Sequence, residues 1–412
     1  MIEREVKVGL DIGTTKVCTV IGFQNDNSEL EIIGVGSHPS QGLKKGAVVN
    51  IDQTIVSIQK SLEQAKLMAG VEIDQVSVGV AGNHIYSFNS SGVVAVRGEE
   101  VTLEDVHRVV EAAKAVVMPS DREIIHVIPQ EFKVDNSKGI KNPIGMFGVR
   151  LEVKVHIVTG AVSLIQNLVK CVEESGVIPI KIVLQPIASS ESVLSEEEKE
   201  LGVVLVDIGG GTTDVAIWSN GCLLHSQIIP VGGQHFTNDL SVALKISHIE
   251  AERIKTELGC VIPEKTNQSK LIQAQGIVGT KPRDVPLKIV TKVLEARAEE
   301  LLRTIKEILD EKVSEHEIAG GIIFTGGGSL IKGIVELGEY VLEIPVKIGH
   351  PKSLGGMTNI MQSPKYSTAI GLLLESHKLS KANVEKDNSL VKQSDIIARL
   401  SNSMKNVLKE IF

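Results

Sequence analysis

The sequence predicts an α/β fold built from two similar lobes. One glycine-rich hairpin motif occurs twice, as V-G-L-D-I-G-T-T-K-V at 8–17 and as V-V-L-V-D-I-G-G-G-T-T-D-V at 203–215. The chain has 412 residues, which exceeds the size at which one hydrophobic core keeps growing. Short buried strands alternate with amphipathic helices, as α/β layers require. We therefore expect two lobes, each contributing one hairpin to a shared cleft.

Each motif reads as a buried strand, a tight turn and a returning strand. In the second copy the apolar run Val203–Val206 ends at Asp207, and glycines then permit backbone conformations closed to other residues. The N–H groups of such a turn form an anion-binding nest, and a carboxylate at the strand end can hold a divalent cation. A lone glycine-rich hairpin often binds nothing, but two copies favour a phosphate-binding cleft.

Composition narrows the class of function. Aromatic residues are only 3% of the chain and the formal net charge is −8, which argues against broad nucleic-acid binding. The four cysteines are dispersed without C-x-x-C spacing, so neither a disulfide framework nor a zinc site is expected. The charged N-terminal segment lacks an apolar signal core, and no apolar run reaches about 18 residues. We expect a soluble cytoplasmic protein that binds no nucleic acid.

The rest of the first half continues the α/β pattern. Periodicity predicts strands at Glu31–Val35, Val76–Val80 and Lys181–Leu184, and helices at Ile51–Met68 and Ala161–Ser175. Another helix opens at Gln185-Pro186, with proline in its first turn, and is expected to run into the acidic cluster at 196–200. The two halves would be hinged here.

The pattern of predicted strands and helices changes in residues 84–160, which predict a compact α+β insertion. We expect a capped helix at Thr102–Met118, a strand at Glu123–Ile128 that ends at Pro129, and a strand at Leu151–Thr159. The segment has no phosphate-type loop or catalytic triad. It is therefore either a structural elaboration or a module for protein contacts.

Past the second hairpin the sequence predicts the remaining elements of the second lobe. They are a strand pair over Gly221–Val231, a helix from His235, a helix opened by a capping box of Ser247 and Glu250, a long helix at Leu287–Leu309, a strand at Gly320–Phe324 and a helix from Ser329. Glu252 and Lys255 share one helix face and by themselves read as an ordinary surface ion pair. The T-G-G-G junction at 325–328 would let a flat ring approach the backbone.

The end of the chain predicts a tether and an amphipathic helix. Segment Ser376–Ser394 has too few apolar residues to order itself, so we expect a flexible linker. Segment Asp395–Phe412 regains helical periodicity, which favours a helix lying on a membrane surface, with docking on the body or on a partner as the alternative. Its apolar positions are Ile396, Ile397, Leu400, Met404, Val407, Leu408, Ile411 and Phe412.

Several of these motifs resemble the nucleotide site of the actin, Hsp70 and sugar-kinase superfamily. The shared features are two D-I-G hairpins, a connecting helix, E-A-E-R-I-K and a distal T-G-G-G. Within 86–159, the stretches E-V-T-L-E-D-V-H-R, D-R-E-I-I-H-V-I-P-Q-E-F and P-I-G-M-F-G-V-R-L-E-V look like the characteristic insert of the FtsA family of bacterial cell-division proteins. The C-terminal helix also matches, although it lacks the Trp and denser basic residues of many relatives.

The resemblance implies an actin-like two-lobed ATPase fold with duplicated ribonuclease H-like subdomains and an FtsA-type α+β insert. The expected parts are 1–83 with 161–194 and 355–375 as the first-lobe core, 84–160 as the insert, 195–231 with 295–354 as the second-lobe core, 232–294 as the outer part of the second lobe, 376–394 as the linker and 395–412 as the membrane-targeting helix.

The same resemblance implies roles in binding ATP and Mg²⁺. Asp11 and Asp207 would hold Mg²⁺ through water molecules, with Asp207 also a catalytic candidate. Gln185 would orient the attacking water, and because an amide is a poor base, any hydrolysis is expected to be slow. The nucleotide contacts would be Gly13, Thr14, Thr15 and Lys16 on one side of the phosphates, Gly209, Gly210, Gly211, Thr212 and Thr213 on the other, and Gly233, Glu252, Lys255, Gly326, Gly327 and Gly328 around the nucleoside.

The function implied is that of an ATP-binding protein that polymerises and ties the tubulin-like FtsZ to the cytoplasmic face of the inner membrane at the division septum. Its partners would be FtsZ, further copies of itself, membrane lipid, and other division proteins through the 84–160 insert. A sugar kinase or polyphosphate hydrolase of the same superfamily is the alternative, as is a pilus-type assembly ATPase. A kinase needs an acidic base, and the sequence offers candidates only in the two cleft aspartates.

Overall fold

The computed structural model describes residues 6–25, 29–267, 269–276, 282–313, 318–356 and 361–378, so the predicted helix at 395–412 and most of the predicted linker lie outside the described residues. The strands are β1 (Val6–Ile12), β2 (Lys16–Gln24), β3 (Leu30–Pro39), β4 (Leu43–Lys44), β5 (Ala47–Val48), β6 (Gln75–Val80), β7 (Tyr86–Ala95), β8 (Arg122–Val134), β9 (Ser137–Ile140), β10 (Arg150–Ala161), β11 (Ile178–Leu184), β12 (Val203–Ile208), β13 (Thr213–Ser219), β14 (Cys222–Ile229), β15 (Leu271–Ala274), β16 (Arg283–Pro286), β17 (Ile322–Thr325), β18 (Val346–Ile348) and β19 (Gly355–Gly356). The helices are α1 (Ile51–Ala69), α2 (Leu103–Lys114), α3 (Val162–Glu174), α4 (Gln185–Val193), α5 (Glu196–Leu201), α6 (Gly233–Leu244), α7 (His248–Leu258), α8 (Leu287–Lys312) and α9 (Ile334–Leu342). Residues 367–378 are also helical and are called α10.

The two large sheets have the same topology. The strand order is β11-β6-β1-β2-β3-β19 in the first lobe and β14-β13-β12-β17-β18 in the second. In each lobe a central strand pairs antiparallel with the next strand along the chain and parallel with a later one. Because both central strands are covered on two faces, they read as nearly unbroken apolar runs. The predicted duplicated α/β fold is confirmed, while the residue boundaries predicted for its parts stay predictions.

Two helices pack directly on the first-lobe sheet at glycines. An ideal Cβ on Gly9 of β1 would lie 2.5 Å from the carbonyl oxygen of Ala369 in α10. An ideal Cβ on Gly36 of β3 would lie 1.8 Å from the carbonyl oxygen of Ser61 in α1. A side chain at either position would push its helix away. Helix α10 therefore sits on the strand that leads into the first hairpin.

The insert is a four-stranded antiparallel sheet, β7-β10-β8-β9, with α2 on one face. Helix α2 begins with a reciprocal capping box of Thr102 and Asp105, as its sequence predicts. Val109 of the helix shares a core with Leu151 and Val153 of β10. The predicted α+β insertion is confirmed.

One strand of the insert is longer than predicted, since β8 passes through Pro129 and ends at Val134. Pro129 pairs with Val155 and Glu131 pairs with Lys154, so Gln130 is an extra residue in the strand. A proline is tolerated at such a bulge because the ladder is locally interrupted. The predicted stop at Pro129 is therefore wrong.

Two predictions about connections are also wrong. The helix opened by Gln185 ends at Val193 instead of running into the acidic cluster, which forms the separate helix α5 because Ser195 and Glu198 build a second capping box. Residues 221–231 contain one strand, β14, instead of a strand pair.

Two helix starts in the second lobe also differ from prediction. Ser247 caps α7, but the Glu250 carboxylate accepts bonds from Arg253 and from the backbone N–H of Gln275, so the predicted capping box is only half formed. The glycine junction after β17 makes a 3₁₀ turn, and α9 begins at Ile334 instead of Ser329.

The insert covers an edge of the second lobe. Strand β14 is the last strand of the second sheet on that side. Gln130 Nε2 donates a hydrogen bond to the Leu223 carbonyl at 2.8 Å, and Ser87 Oγ donates to the Ser226 carbonyl at 2.6 Å. The insert therefore satisfies backbone acceptors that an open sheet edge would leave to solvent.

A buried histidine lies at this contact. His156 Nδ1 is 2.7 Å from Asn89 Oδ1, and its Nε2 is 3.0 Å from Ser226 Oγ. Burial, with a smaller contribution from His225, lowers the pKa of His156 to about 4. The neutral ring, with its proton on Nδ1, thus joins the insert to β14 at pH 7.

We expect this histidine to make the protein acid-labile. Between pH 6.5 and about 4 the unfolded chain binds the proton that the folded chain excludes, so the stabilisation by neutral His156 is complete above pH 6.5 and is lost as the pH falls toward 4. Between pH 7 and 4 the free energy of unfolding should fall less in His156→Asn than in the wild type. The difference between the two falls should be on the order of 3 kcal/mol. Urea unfolding at stepped pH measures this, with exposed His248→Asn as control. A variant that keeps the wild-type pH profile would contradict the assignment.

Candidate functional site

The two hairpins meet at a cleft between the lobes, where a cavity of about 410 Å³ opens. This volume is within the roughly 300–1,000 Å³ typical of small-molecule sites. The predicted residues that line it are Asp11, Gly13, Thr14, Thr15, Lys16, Gln185, Asp207, Gly209, Gly210, Gly211, Thr212, Gly233, Glu252, Lys255, Gly326, Gly327 and Gly328. The structure therefore gathers residues from distant parts of the chain into one site.

The two turns have the same backbone geometry. The Gly13 N–H donates to the Lys16 carbonyl at 3.0 Å, and the Gly209 N–H donates to the Thr212 carbonyl at 2.9 Å. Each turn holds four residues, because the flanking strand pairs are Ile12 with Val17 and Ile208 with Thr213. The duplication thus extends to individual hydrogen bonds.

The tips of the two turns touch across the cleft. An ideal Cβ on Gly210 would lie 2.4 Å from Thr15 Cγ2, and one on Gly211 would lie 2.5 Å from Thr14 Oγ1. Only glycine fits at these two positions without a shift of the facing threonine side chains. The facing threonines and backbone N–H groups are suited to grip an anion from opposite sides.

The equivalence of the turns corrects the reading of the repeated motif. Asp11 lies opposite Cys18 in its hairpin, and Asp207 lies opposite Asp214. The structural counterpart of Asp214 is therefore Cys18, whereas the matching T-T pairs of the sequence would align it with Lys16. The second lobe consequently carries two carboxylates in its hairpin and the first lobe only one.

Asp11 and Asp207 are both buried at the floor of the cleft. Asp11 Oδ1 accepts a hydrogen bond from Gln185 Nε2 at 3.0 Å. Burial raises the pKa of Asp11 to about 6, which Lys16 partly offsets and Asp207 reinforces. Burial also raises the pKa of Asp207, although its bonds from the Ser189 and Thr368 hydroxyls favour the charged form.

Asp214 is a site residue that the sequence reasoning missed. It lines the cavity, is 3% exposed, and its Oδ1 atom has no hydrogen-bond partner. Burial and the nearby Asp207 and Asp11 hold its pKa well above the ordinary value. Its place opposite Asp207 in a hairpin was the available signal, but it depends on a register that the sequence does not give.

The three aspartates fit a hydrated divalent cation. Within the described part of the chain, no three His, Cys, Asp or Glu side chains converge closely enough to hold a metal alone. Carboxylate oxygen atoms around a cavity wide enough for water and phosphate are the ligands that Mg²⁺ accepts, because it keeps several water molecules. The unpartnered oxygen of Asp214 is an acceptor that such a shell would satisfy.

The outer end of the cavity is built on α6 and α7. Lys255 Nζ donates to the Gly233 carbonyl at 3.0 Å, to Thr237 Oγ1 at 2.8 Å and to Glu252 Oε2 at 2.8 Å. The Gly233 N–H in turn donates to the Gly209 carbonyl at 2.9 Å. Glu252 and Lys255 are therefore more than a surface ion pair, since they fix the first turn of α6 against the second hairpin.

Of two further residues predicted to contact the nucleotide, Gly326 lies in the site and Thr213 does not. Gly326 has a φ of +81°, and an ideal Cβ there would lie 2.2 Å from Asp207 Oδ1. Thr213 is fully buried and its hydroxyl donates to the Val231 carbonyl at 2.8 Å, so it does not line the cavity and the predicted phosphate contact is not supported. As the first residue of β13, it points to the opposite side from Asp214.

The membrane prediction rests on residues outside the described part. Ile396, Ile397, Leu400, Met404, Val407, Leu408, Ile411 and Phe412 all lie beyond residue 378. In the segments that the structure covers, no helix combines the length and apolarity needed to cross a bilayer.

Sequence comparisons find one family. A family model described as cell division protein FtsA matches residues 204–371, and one described as the SHS2 domain inserted in FtsA matches 82–159. Cell division protein FtsA of Pseudomonas aeruginosa is 44% identical over 367 residues, covering 89% of this chain and 88% of that protein. FtsA of Borreliella burgdorferi is 40% identical with full coverage of both chains (100%), and FtsA of Escherichia coli K12 is 39% identical, covering 93% and 94%.

Solved structures establish the fold class. A PilM-PilN type IV pilus biogenesis complex matches with a TM-score of 0.65 at 15% identity, covering 90% of this chain and 99% of that chain. MreB5 of Spiroplasma citri bound to ADP matches with a TM-score of 0.54 at 17% identity, covering 93% and 98%. The expected actin-like fold is confirmed.

We expect Gly326 to be required for the geometry of Asp207. In Gly326→Ala the new methyl group would contact the carboxylate and the positive φ would be strained, which together should destabilise the protein by about 1–3 kcal/mol. Gly327→Ala is the matched control, because its nearest atom would be Lys365 Cβ at 3.8 Å. Urea unfolding without ligand compares the two. Equal stability of both variants would contradict the assignment.

Proposed function

This chain belongs to the FtsA family of cell division proteins, and on that premise we propose that it binds ATP with Mg²⁺ between its lobes, polymerises, and tethers FtsZ filaments to the cytoplasmic membrane at the septum. The division role is supported by relatives that are 39–44% identical over most of their length. The observation that carries nucleotide binding is the pair of equivalent turns facing each other above buried aspartates.

We assign the cleft residues to parts of the nucleotide. The turn residues Thr14, Thr15, Gly210 and Gly211 would surround the phosphates, where backbone N–H groups and hydroxyls donate to anionic oxygens. Asp11, Asp207 and Asp214 would hold the water shell of Mg²⁺, which neutralises phosphate charge. The nucleoside would lie between the first turn of α6 with Glu252 and Lys255 and the glycines Gly326, Gly327 and Gly328, which leave open backbone.

We assign Gln185 the role of orienting water, and not that of a base. Its Nε2 donates to Asp11, so its side-chain oxygen can accept a bond from a water molecule. An amide orients water but removes no proton. We therefore propose that hydrolysis is slow and that ATP serves mainly to hold the lobes in an assembly-competent state.

The tail supplies membrane contact by insertion more than by charge. In 395–412 the basic residues Arg399, Lys405 and Lys409 are nearly balanced by Asp395 and Glu410. Each basic residue near an anionic surface contributes about 1 kcal/mol, so the electrostatic contribution to the free energy of membrane binding is small. A single helix of this kind binds reversibly, and polymerisation would raise avidity by factors of roughly 10² to 10⁴. Assembly would thus control attachment.

A phosphotransferase remains the alternative, favoured by one observation. Asp214 is a buried cleft carboxylate with a raised pKa and a free oxygen, which suits a general base. Phosphoryl transfer to a panel of sugars and alcohols, compared with transfer to water, separates the two functions. Transfer to an acceptor at rates far above hydrolysis would favour the kinase.

We expect ATP binding to depend on Mg²⁺ through Asp11. Titration calorimetry should detect ATP uptake by the wild type that strengthens with Mg²⁺. Asp11→Asn should weaken binding of Mg-ATP about tenfold or more while leaving Mg-free ATP binding within about twofold, because it removes charge that the cation needs. Exposed Asp52→Asn, in the first turn of α1, is the control. Absence of Mg²⁺-dependent uptake by the wild type would refute the proposal.

We expect the last eighteen residues to be required for lipid binding. Deletion of 395–412 should abolish co-sedimentation with anionic liposomes in the presence of ATP, because the predicted apolar face is removed. Leu400→Glu should have a similar effect, whereas Asn402→Glu adds the same charge off that face and should bind more nearly as the wild type does. Retained sedimentation of the deletion variant would reject the tether.

A further inference from the structure

Asp207 is held by two hydroxyl groups from helices that lie far from it in the sequence or outside its own sheet. It is the second-to-last residue of β12, the central strand of the second sheet. Its Oδ2 atom accepts a hydrogen bond from Thr368 Oγ1 at 3.0 Å and a second bond from Ser189 Oγ. The two hydroxyl oxygens are 3.0 Å apart. One carboxylate oxygen therefore receives both donors, in a buried contact.

One donor helix packs on the first lobe, and the other lies between the two lobes. Ser189 lies on α4, which follows the first-lobe strand β11 directly and packs on β12 and β13 of the second sheet as well as on β11 and β6 of the first. Thr368 lies on α10, whose backbone contacts β1 at Gly9. Helix α10 also packs on α4 so closely that an ideal Cβ on Gly371 would lie 1.8 Å from the Ala188 carbonyl oxygen. The two hydroxyls are thus placed by a contact that leaves no space for adjustment.

The second oxygen of the same carboxylate is restricted from another side. Asp207 Oδ1 lies over Gly326, at the position where a Cβ would come within 2.2 Å. With Oδ2 occupied by two donors and Oδ1 fixed above a glycine, the side chain has one orientation. The oxygen that the hydroxyls leave available is Oδ1.

We propose that Ser189 and Thr368 are positioning residues that hold Asp207 Oδ2, so that Oδ1 alone is presented to the hydrated cation of the bound nucleotide. This rests on the nucleotide function proposed above. Because α10 is seated on β1, the bond from Thr368 couples the two lobes at the cation. Opening of the lobes would break this bond and loosen the orientation of Asp207.

The test compares two substitutions of one residue in the full-length chain. Thr368→Val keeps the shape but lacks the hydroxyl, whereas Thr368→Ser keeps the hydroxyl. The Mg²⁺ concentration that gives half-maximal ATP binding should rise about tenfold in Thr368→Val, since the lost bond involves a charged group, and should stay within about twofold in Thr368→Ser. ATP binding without Mg²⁺ should be unchanged in both. Ser189→Ala should behave as Thr368→Val does.

A second measurement needs no nucleotide. Urea unfolding of Thr368→Val, Asp207→Asn and the double variant forms a double-mutant cycle in the ligand-free protein. We expect clear non-additivity, because the two groups share a bond. Additive effects, or a Thr368→Ser variant as impaired in Mg²⁺ dependence as Thr368→Val, would overturn the positioning role. Failure of every chain, wild type included, to bind ATP would refute the nucleotide proposal while the cycle still decides whether the bond orients Asp207.

Discussion

The tips of the two hairpin turns touch because neither Gly210 nor Gly211 carries a Cβ. This contact limits how far apart the two turns lie, because a larger residue at either position would meet the side chain of Thr14 or Thr15. It also determines what the cleft presents, because a turn without side chains exposes its backbone N–H groups. Close approach of the Thr14 and Thr15 side chains to the bare glycine turn is thus the constraint on which the cavity and the phosphate chemistry depend.

Beneath the turns the fold buries negative charge. Burial raises the pKa of all three carboxyls; Asp207 raises that of Asp11 further, and Asp207 and Asp11 raise that of Asp214, while Lys16 only partly offsets the effect at Asp11. Lys16 Nζ also donates to the Lys365 carbonyl and lies 4.2 Å from the centre of the Tyr366 ring. A cation entering the site would relieve this repulsion, so ligand binding and the stability of the closed fold are linked.

The features of the fold and site that depend on local sequence patterns could be predicted. Those that depend on contacts between distant parts of the chain could not. Both hairpins and their central strands could be read from sequence because apolar runs and glycines act within a few residues of their own position. Asp214 was missed because its role depends on strand register, and Thr368 because 161 positions separate it from Asp207. The predicted strand end at Pro129 was wrong for a related reason, since the bulge that accommodates the proline requires a partner strand. The predicted end of α4 was wrong because Ser195 caps a separate helix, α5, at that point.

The hold of the insert on β14 has a consequence for how copies of this chain can join. A free edge strand can recruit a strand from a neighbour and so extend a sheet without limit. Gln130 and Ser87 occupy the carbonyl groups of Leu223 and Ser226 on that edge. Extension of the second sheet by a neighbouring strand at these carbonyl groups is therefore blocked, and a contact between copies on this side would use side-chain surfaces instead.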